Sequence, residues 1–339
     1  MTESATPAIE VNNLHRNFGS LKAVDGVSFK IAAGNVVGFV GANGAGKTTT
    51  MRILATLDYP TRGTLKISGI DVVQYPAKVR SKIGWMPDSF GTYQHMTVLE
   101  YLDFFARALG FQKSERAERI ADVMDFTDLH ALSSRLINTL SKGMSQRLCL
   151  GRALIHDPDV LILDEPAAGL DPKARVELKH LIRILAEEGK TVLISSHILS
   201  ELAEMCDSLL FINEGRIIHQ GTAESLKHNG NGATIIKVGI HGDTVKLGEW
   251  AQMSPNVKLL ETLKGGVRIE VDSIDPETIA GVLRRMVNDG LPVVEFHREE
   301  RKLEDAFIDI LGEIESKKLS PPPLQTEAIS NSQLLTPDS

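Results

Sequence analysis

Gly41-Ala42-Asn43-Gly44-Ala45-Gly46-Lys47-Thr48-Thr49 fits G-x-x-x-x-G-K-[ST], the pattern of a loop that wraps phosphate groups. The apolar run Val36-Val37-Gly38-Phe39-Val40 leads into it and reads as a buried strand. Thr49-Thr50-Met51-Arg52-Ile53-Leu54 leads out and can open a helix. The glycines let the backbone turn its N–H groups inward without Cβ clashes. The helix N-terminus behind them adds partial positive charge. Lys47 is placed to reach the β- and γ-phosphates of a bound nucleotide, and the Thr48 hydroxyl to ligate Mg²⁺. A chance glycine-rich turn would not come with this strand before it and this helix after it.

Outward from the loop, strands and helices alternate as in an α/β protein. Upstream, residues 9–14 and 24–31 alternate as strands, with a turn at Asn17-Phe18-Gly19-Ser20 between them. Phe18 is the one aromatic of that turn. It serves either as simple edge packing or as a flat surface for a nucleobase. Downstream, residues 59–63 mark a turn and 63–67 a short strand, and 83–88 read as a strand that stops at Pro87. Val98, Leu99, Leu102, Phe105, Ala106 and Leu109 recur at helical spacing, and 114–124 reads as a second helix with Ile120 and Met124 on one face. The block at about 88–140 is therefore expected as an α-helical subdomain inserted into the α/β core. Ser141 follows and can cap the helix through Leu148, Leu150 and Leu154. A capped helix end is also an anion site.

Val160-Leu161-Ile162-Leu163-Asp164-Glu165 is a buried apolar strand ending in two carboxylates. In a chain with a phosphate loop, Asp164 suits the Mg²⁺ shell and Glu165 suits a base that accepts a proton from attacking water. Ala168-Gly169-Leu170-Asp171-Pro172 is a turn before a helix over 173–187. Thr191-Val192-Leu193-Ile194-Ser195-Ser196 is a further buried strand with His197 just past its end. If that strand lies beside 160–163 in a parallel sheet, His197 falls on the carboxyl edge, where ligands bind. Residues 209–212 and 216–220 read as a hairpin.

The composition Asn229-Gly230-Asn231-Gly232 reads as a linker, placed at 229–233, between a first domain over 9–228 and a smaller α+β unit over 234–312. That unit is expected to hold strands at 234–240, 267–271 and 292–296 and helices at 276–287 and 303–311. His297 and Glu299-Glu300 lie close together there without metal-ligand spacing and read as solvated surface. Residues 1–8 form an N-terminal tail, and 313–339, rich in Pro, Ser, Thr and Gln, are expected to be disordered.

The whole-chain properties agree. A length of 339 residues suggests about two domains, and 42% hydrophobic residues is ordinary for a globular protein. The net charge of −7 argues against general nucleic-acid binding. Neither Cys149 nor Cys206 sits in a C-x-x-C, which argues against a zinc site or disulfide framework. No run approaches the ~18 apolar residues of a bilayer span. Residues 1–7 lack the regions of a signal peptide. The expected location is the cytoplasm, without direct insertion into a membrane.

In this order, the phosphate loop, Leu140-Ser141-Lys142-Gly143-Met144, the Asp164-Glu165 pair, Asp171 and His197 resemble the nucleotide-binding subunit of an ATP-binding-cassette (ABC) transporter over roughly residues 9–226. The resemblance implies a P-loop ABC cassette with a mixed-sheet core, a β subdomain and the inserted helical subdomain. It implies ATP and Mg²⁺ as cofactors. Phe18 stacks on adenine. Gly41, Ala42, Asn43, Gly44, Ala45, Gly46, Lys47, Thr48 and Thr49 contact phosphate and metal. Asp164 holds the Mg²⁺ shell, Glu165 polarises water and His197 contacts the γ-phosphate. Ser141 and Gly143 bind the γ-phosphate held by a second subunit, and Asp171 lies in the loop that communicates between the two. The partners implied are transmembrane permease subunits and a second cassette, identical or paralogous, which would hold the chain on the inner face of the cell membrane.

Two positions depart from the family pattern. Lys142 and Met144 replace Gly and Gln in Leu-Ser-Gly-Gly-Gln, keeping the hydroxyl and glycine N–H that face phosphate. Asp88 stands where Gln is usual, and can still ligate Mg²⁺ directly or through water. Both departures, and the trailing α+β domain, are similar to cassettes that serve exporters with separately encoded membrane subunits. The other readings are a soluble cassette acting on ribosomes, which usually carries two cassettes in one chain, a DNA-repair cassette, which would separate Lys47 from Asp164 by a very long coiled coil where the gap here is ordinary, and a small-molecule kinase, which has no use for residues 140–144.

Overall fold

Apolar runs such as Val36–Val40 and Val160–Leu163 form the middle of a six-stranded central sheet. Strands buried on both faces cannot alternate, so they appear as continuous hydrophobic stretches. The computed structural model describes residues 6–89, 91, 95–228, 233–242, 244–299, 303–304 and 307–308. The expected tail at 313–339 lies outside the described residues, as do most of the 1–8 tail, residues 229–232 of the linker and most of the 303–311 helix.

Alternating strands β1 (Ile9–Phe18) and β2 (Leu21–Ile31) pair antiparallel, with β4 (Arg62–Ile67) and β5 (Ile70–Asp71) completing a sheet of order β2-β1-β4-β5. The turn expected at 17–20 is shorter, because Asn17 and Phe18 remain in β1. Register shifts between Val11 and Leu14 and again beyond Arg16 break the alternation there. The central sheet has β3 (Val36–Val40), β6 (Ile83–Met86), β7 (Val160–Leu163), β8 (Thr191–Ser196), β9 (Ser208–Asn213) and β10 (Arg216–Gly221) in the order β10-β9-β3-β8-β7-β6. All pairs are parallel except β9 with β10, which form the expected hairpin. Helix α1 (Lys47–Leu54) and the short α2 (Pro76–Arg80) precede the inserted helices α3 (Val98–Ala108) and α4 (Lys113–Phe126). Thr97 and Glu100 form a reciprocal cap on α3.

Helix α5 (Lys142–Leu154) joins the helical block to the sheet. Its Leu148, with Ile155 just beyond its end, packs with Tyr101, Leu102 and Met124, while Cys149, Leu150 and Ala153 pack with the central sheet. Arg152 reinforces this junction, donating to Tyr101 Oη at 3.1 Å and to the Trp85 carbonyl at 3.3 Å. The helical core therefore extends past residue 140. Helices α6 (Pro172–Glu187), α7 (Leu199–Met205) and α8 (Ala223–His228) complete this part of the chain.

The C-terminal unit runs β11 (Thr234–Ile240), α9 (Thr244–Met253), β12 (Val257–Leu263), β13 (Gly266–Val271), α10 (Pro276–Asn288) and β14 (Val293–Glu299). Its antiparallel order β12-β13-β11-β14 is the ferredoxin-like β-α-β-β-α-β arrangement. Both helices cover one face, with Leu247, Ala251, Ile279, Val282 and Met286 packed on Ile236, Val238, Val267 and Ile269. Glu299, expected as solvated surface, instead accepts from Arg268 Nε at 2.8 Å. Leu303 and Phe307 return to the first part of the chain, where the Phe307 ring sits 5.1 Å from that of Phe211.

Candidate functional site

The phosphate loop is shaped by close backbone approach. A Cβ on Gly41 would lie 2.4 Å from the Ile212 carbonyl of β9, so only glycine lets the loop leave β3 there. Gly46 caps α1 at φ 109°, a left-handed conformation that side-chain-bearing residues rarely adopt. The β9–β10 turn braces the loop from behind, through Gly215 N–H donating to the Ala45 carbonyl at 2.9 Å. Helix α1 starts at Lys47, two residues earlier than the sequence suggests, so the Lys47, Thr48 and Thr49 N–H groups belong to its first turn.

Lys47 is 5% exposed, and Nζ donates to the Gly41 carbonyl at 2.6 Å and the Ala42 carbonyl at 3.2 Å. Thr48 Oγ1 donates to Asp164 Oδ1 at 3.2 Å. Parallel pairing of β7 with β8 and of β8 with β3 sets Asp164, Glu165 and His197 at neighbouring strand ends beside the loop. Asp164 is 2% exposed. Burial pushes its carboxyl above the ordinary Asp value, the hydrogen bonds from Ser195 and Thr48 pull it back, and the charges of Glu165 and Asp88 push it up again.

Glu165 holds a left-handed backbone, φ 49°. Its Oε2 lies 2.8 Å from His197 Nδ1. Its Oε1 is buried with no hydrogen-bond partner, and Lys47 Nζ is 3.7 Å from it. A carboxylate oxygen beside a lysine and a histidine, with no hydrogen bond of its own among the described residues, is a candidate proton acceptor. Ser195, which the sequence reading passed over, lies between the acids. Its Oγ donates to Asp164 Oδ1 at 2.7 Å and accepts from Glu165 N–H at 2.8 Å. The one available signal was a hydroxyl where an apolar strand run should continue.

Oxygen donors at Thr48 and Asp164 suit a hard cation. Among the described residues no group of three or more His, Cys, Asp or Glu could hold a metal alone. Mg²⁺ is held by one or two carboxylates with substrate phosphate and water completing its shell, and the Thr48 and Asp164 oxygens could supply the protein part.

Asp88 is exposed just beyond the end of β6, beside the β7 end, where its charge raises the Asp164 carboxyl. The remaining expected residues make no hydrogen bond to this cluster among the described residues. Phe18 is 47% exposed at the end of β1, and the Arg16 guanidinium stacks 4.3 Å from its ring centroid while pairing with Asp58 at 2.8 Å. One ring face is thus occupied by Arg16. Ser141 caps α5 by accepting from Met144 N–H at 3.3 Å, and Asp171 caps α6 by accepting from Ala174 N–H at 2.8 Å. The two caps meet, since a Cβ on Gly143 would lie 3.0 Å from Ala174 Cβ, and one on Gly169 would lie 2.7 Å from Lys142 Nζ. Among the described residues, no hydrogen bond or ion pair links Ser141, Gly143 or Asp171 to residues 41–49 of the same chain.

The chain is similar to known proteins in sequence and fold. A family model described as "ABC transporter" matches residues 24–168. The Nod factor export ATP-binding protein I of Ralstonia nicotianae is 32% identical over 309 residues, covering 91% of this chain and 95% of that protein. The ABC transporter ATP-binding protein NatA of Bacillus subtilis is 41% identical over 207 residues, covering 61% of this chain and 84% of that protein. Among solved structures, the dimeric post-hydrolysis state of the ATP-binding cassette MJ0796 bound to ADP and Pi superposes with TM-score 0.58 at 25% identity, covering 63% of this chain and 98% of that one.

Proposed function

Because the chain belongs to the ATP-binding subunits of ABC transporters, we propose that two copies, or one copy and a paralogue, clasp ATP between them and that hydrolysis reopens the pair to drive export. The activity is hydrolysis of ATP to ADP and phosphate. The observation that carries the proposal is the split of the site. Lys47, Thr48, Asp164, Glu165 and His197 converge on one side, whereas Ser141 and Asp171 cap helices, Gly143 lies in the first turn of one of them, and among the described residues none of the three bonds to that cluster. Each chain therefore supplies half of two composite sites.

The chain's own groups divide the chemistry. Backbone N–H groups of the loop and of the first turn of α1 face the phosphates, and Lys47 turns from the loop carbonyls to the γ-phosphate. Thr48 and Asp164 hold Mg²⁺, with Asp88 beside them. When bound, that ion offsets phosphate charge. Glu165 Oε1 takes the proton of the attacking water, and His197 orients Glu165 through Oε2. Phe18 offers its free face to the adenine ring. Ser141 Oγ and the Gly143 N–H close on the γ-phosphate of the partner's nucleotide.

Among the described residues no helix is long and apolar enough to cross a membrane. In this reading the substrate path lies in separate permease subunits, met through the helical block around α3 and α4, and the subunit works at the inner membrane face. The likeness to a Nod factor export ATP-binding protein, spanning 91% of this chain, supports export as the direction. A ribosomal or nucleic-acid role gains no support from either relative.

Complementation tests the split site. Lys47→Ala and Ser141→Arg chains are each expected to lack ATPase activity. An equal mixture should recover roughly a quarter of the wild-type rate, because half of randomly formed symmetric dimers are mixed and each holds one intact site. No recovery from a mixture shown to dimerise would overturn the proposal.

A further inference from the structure

We infer that Ser195 is a positioning residue for ATP hydrolysis, its single hydroxyl locking the Asp164 carboxylate and the Glu165 backbone into one unit. The inference rests on the roles proposed above for those two acids. It assigns a role to a residue outside the set expected from the sequence.

Ser195 is the penultimate residue of β8 and has 0% exposure. Leu163 pairs with Ile194, so the next step along both chains sets Ser195 beside Asp164. A serine hydroxyl has one donor and two acceptor sites. Here the donor goes to Asp164 Oδ1 at 2.7 Å and one acceptor takes the Glu165 N–H at 2.8 Å. Thr48 Oγ1 reaches the same Oδ1 at 3.2 Å. Two hydroxyls thus fix one oxygen of Asp164, and among the described residues no hydrogen bond reaches the other.

The second bond matters for Glu165. A non-glycine residue at φ 49° is strained and persists only where its surroundings over-determine it. The surroundings here are the Ser195 bond at its N–H, the Ala168 N–H on its carbonyl at 3.1 Å, and His197 on its side chain. Removing the Ser195 acceptor frees the backbone at the point from which the carboxylate is aimed. Misplacing a base by a fraction of an ångström slows proton transfer while leaving phosphate binding by the loop intact.

The hydroxyl, rather than the bulk, carries this role, and the full chain tests it. Ser195→Ala is expected to lower kcat ten- to a hundredfold with the KM for MgATP within about threefold of wild type. Ser195→Thr restores the hydroxyl and should return kcat to within about threefold. In hydrogen exchange, the Glu165 amide should exchange at least about tenfold faster in Ser195→Ala than in wild type. If circular dichroism shows that the Ala variant does not fold, Ser195→Cys, similar in shape but a weak hydrogen-bonder, takes its place with the same expected loss. Either variant turning over at the wild-type rate, or a Thr variant as slow as Ala, overturns the inference while leaving the ATPase reading intact. A folded wild type that never hydrolyses ATP overturns that reading instead.

Discussion

Replacing Glu165 with Gln keeps the size of the side chain and one accepting oxygen, and removes its charge. Two consequences can be sized. Lys47 Nζ and Glu165 Oε1 are 3.7 Å apart. Their attraction lies between about 1 kcal/mol at the dielectric of water and about 4 kcal/mol at the effective value near a protein surface. The variant loses it, which leaves Lys47 freer to engage phosphate and removes a negative charge facing the γ-phosphate. ATP affinity should therefore hold or rise. Turnover should fall, because a positioned general base contributes 10²–10⁴-fold, about 2.7–5.4 kcal/mol of barrier. Single-turnover hydrolysis of radiolabelled ATP gives the rate, calorimetry gives the affinity, and size exclusion with MgATP shows whether a dimer accumulates. A rate within about tenfold of wild type would remove Glu165 from its assigned role. Tenfold weaker ATP binding would refute the placement of charges on which the estimate rests.

Asp164→Asn tests the burial of the metal-shell carboxylate. The folded-state pKa of Asp164 is raised, first by burial. Folding is therefore not penalised below the unfolded value of 3.8, is increasingly penalised as pH climbs toward the folded value, and is fully penalised above it. Without nucleotide, the Asn variant should melt above wild type near pH 7, with the difference shrinking as pH falls toward about 4. A lower melting temperature for Asn near neutrality would show that the charged hydrogen bonds from Thr48 and Ser195 outweigh desolvation. Gly41→Ala tests the exit of the phosphate loop. Its Cβ would meet the Ile212 carbonyl at 2.4 Å and Ile212 Cγ2 at 2.9 Å, and a backbone oxygen in a central strand cannot step aside. The expected cost is about 1–3 kcal/mol with weakened ATP binding, read from thermal unfolding and calorimetry. A variant as stable as wild type would show that the loop relaxes elsewhere.

The strands that carry the site were legible because they obey simple patterns. Val36–Val40, Val160–Leu163 and Thr191–Ser196 are buried along their whole length, so they carry continuous apolar runs, broken only by Thr191, Ser195 and Ser196 at the ends of the last. Elements away from the site were less legible. Strand β12 carries Leu259 and Leu260 side by side, and its register shifts between Leu259 and Glu261, so its alternation is masked. Helix α9 contains Gly248 and buries only Leu247 and Ala251, too thin a stripe to stand out. Helix α7 has only 7 residues, fewer than two full turns. In β1, Asn13 at φ 46° and the nearby register shifts made a continuing strand read as the approach to a turn.

Sequence by itself determined the chemical inventory: a loop for phosphates, a lysine, two acids at one strand end, a histidine at another and a capped helix with a small residue in its first turn. Residue type and local spacing encode these, because each depends on groups a few positions apart. Tertiary structure alone decided which of them share a space. Parallel register, set by contacts between strands some 30 residues apart, slides Ser195 between Asp164 and Glu165 and sets His197 against Glu165. The same packing turns the Ser141 and Asp171 caps toward each other through Gly143 and Ala174, and among the described residues neither cap bonds to the loop. A hydroxyl becomes a positioning group, and a cap becomes half of a site, only through neighbours that local sequence does not specify.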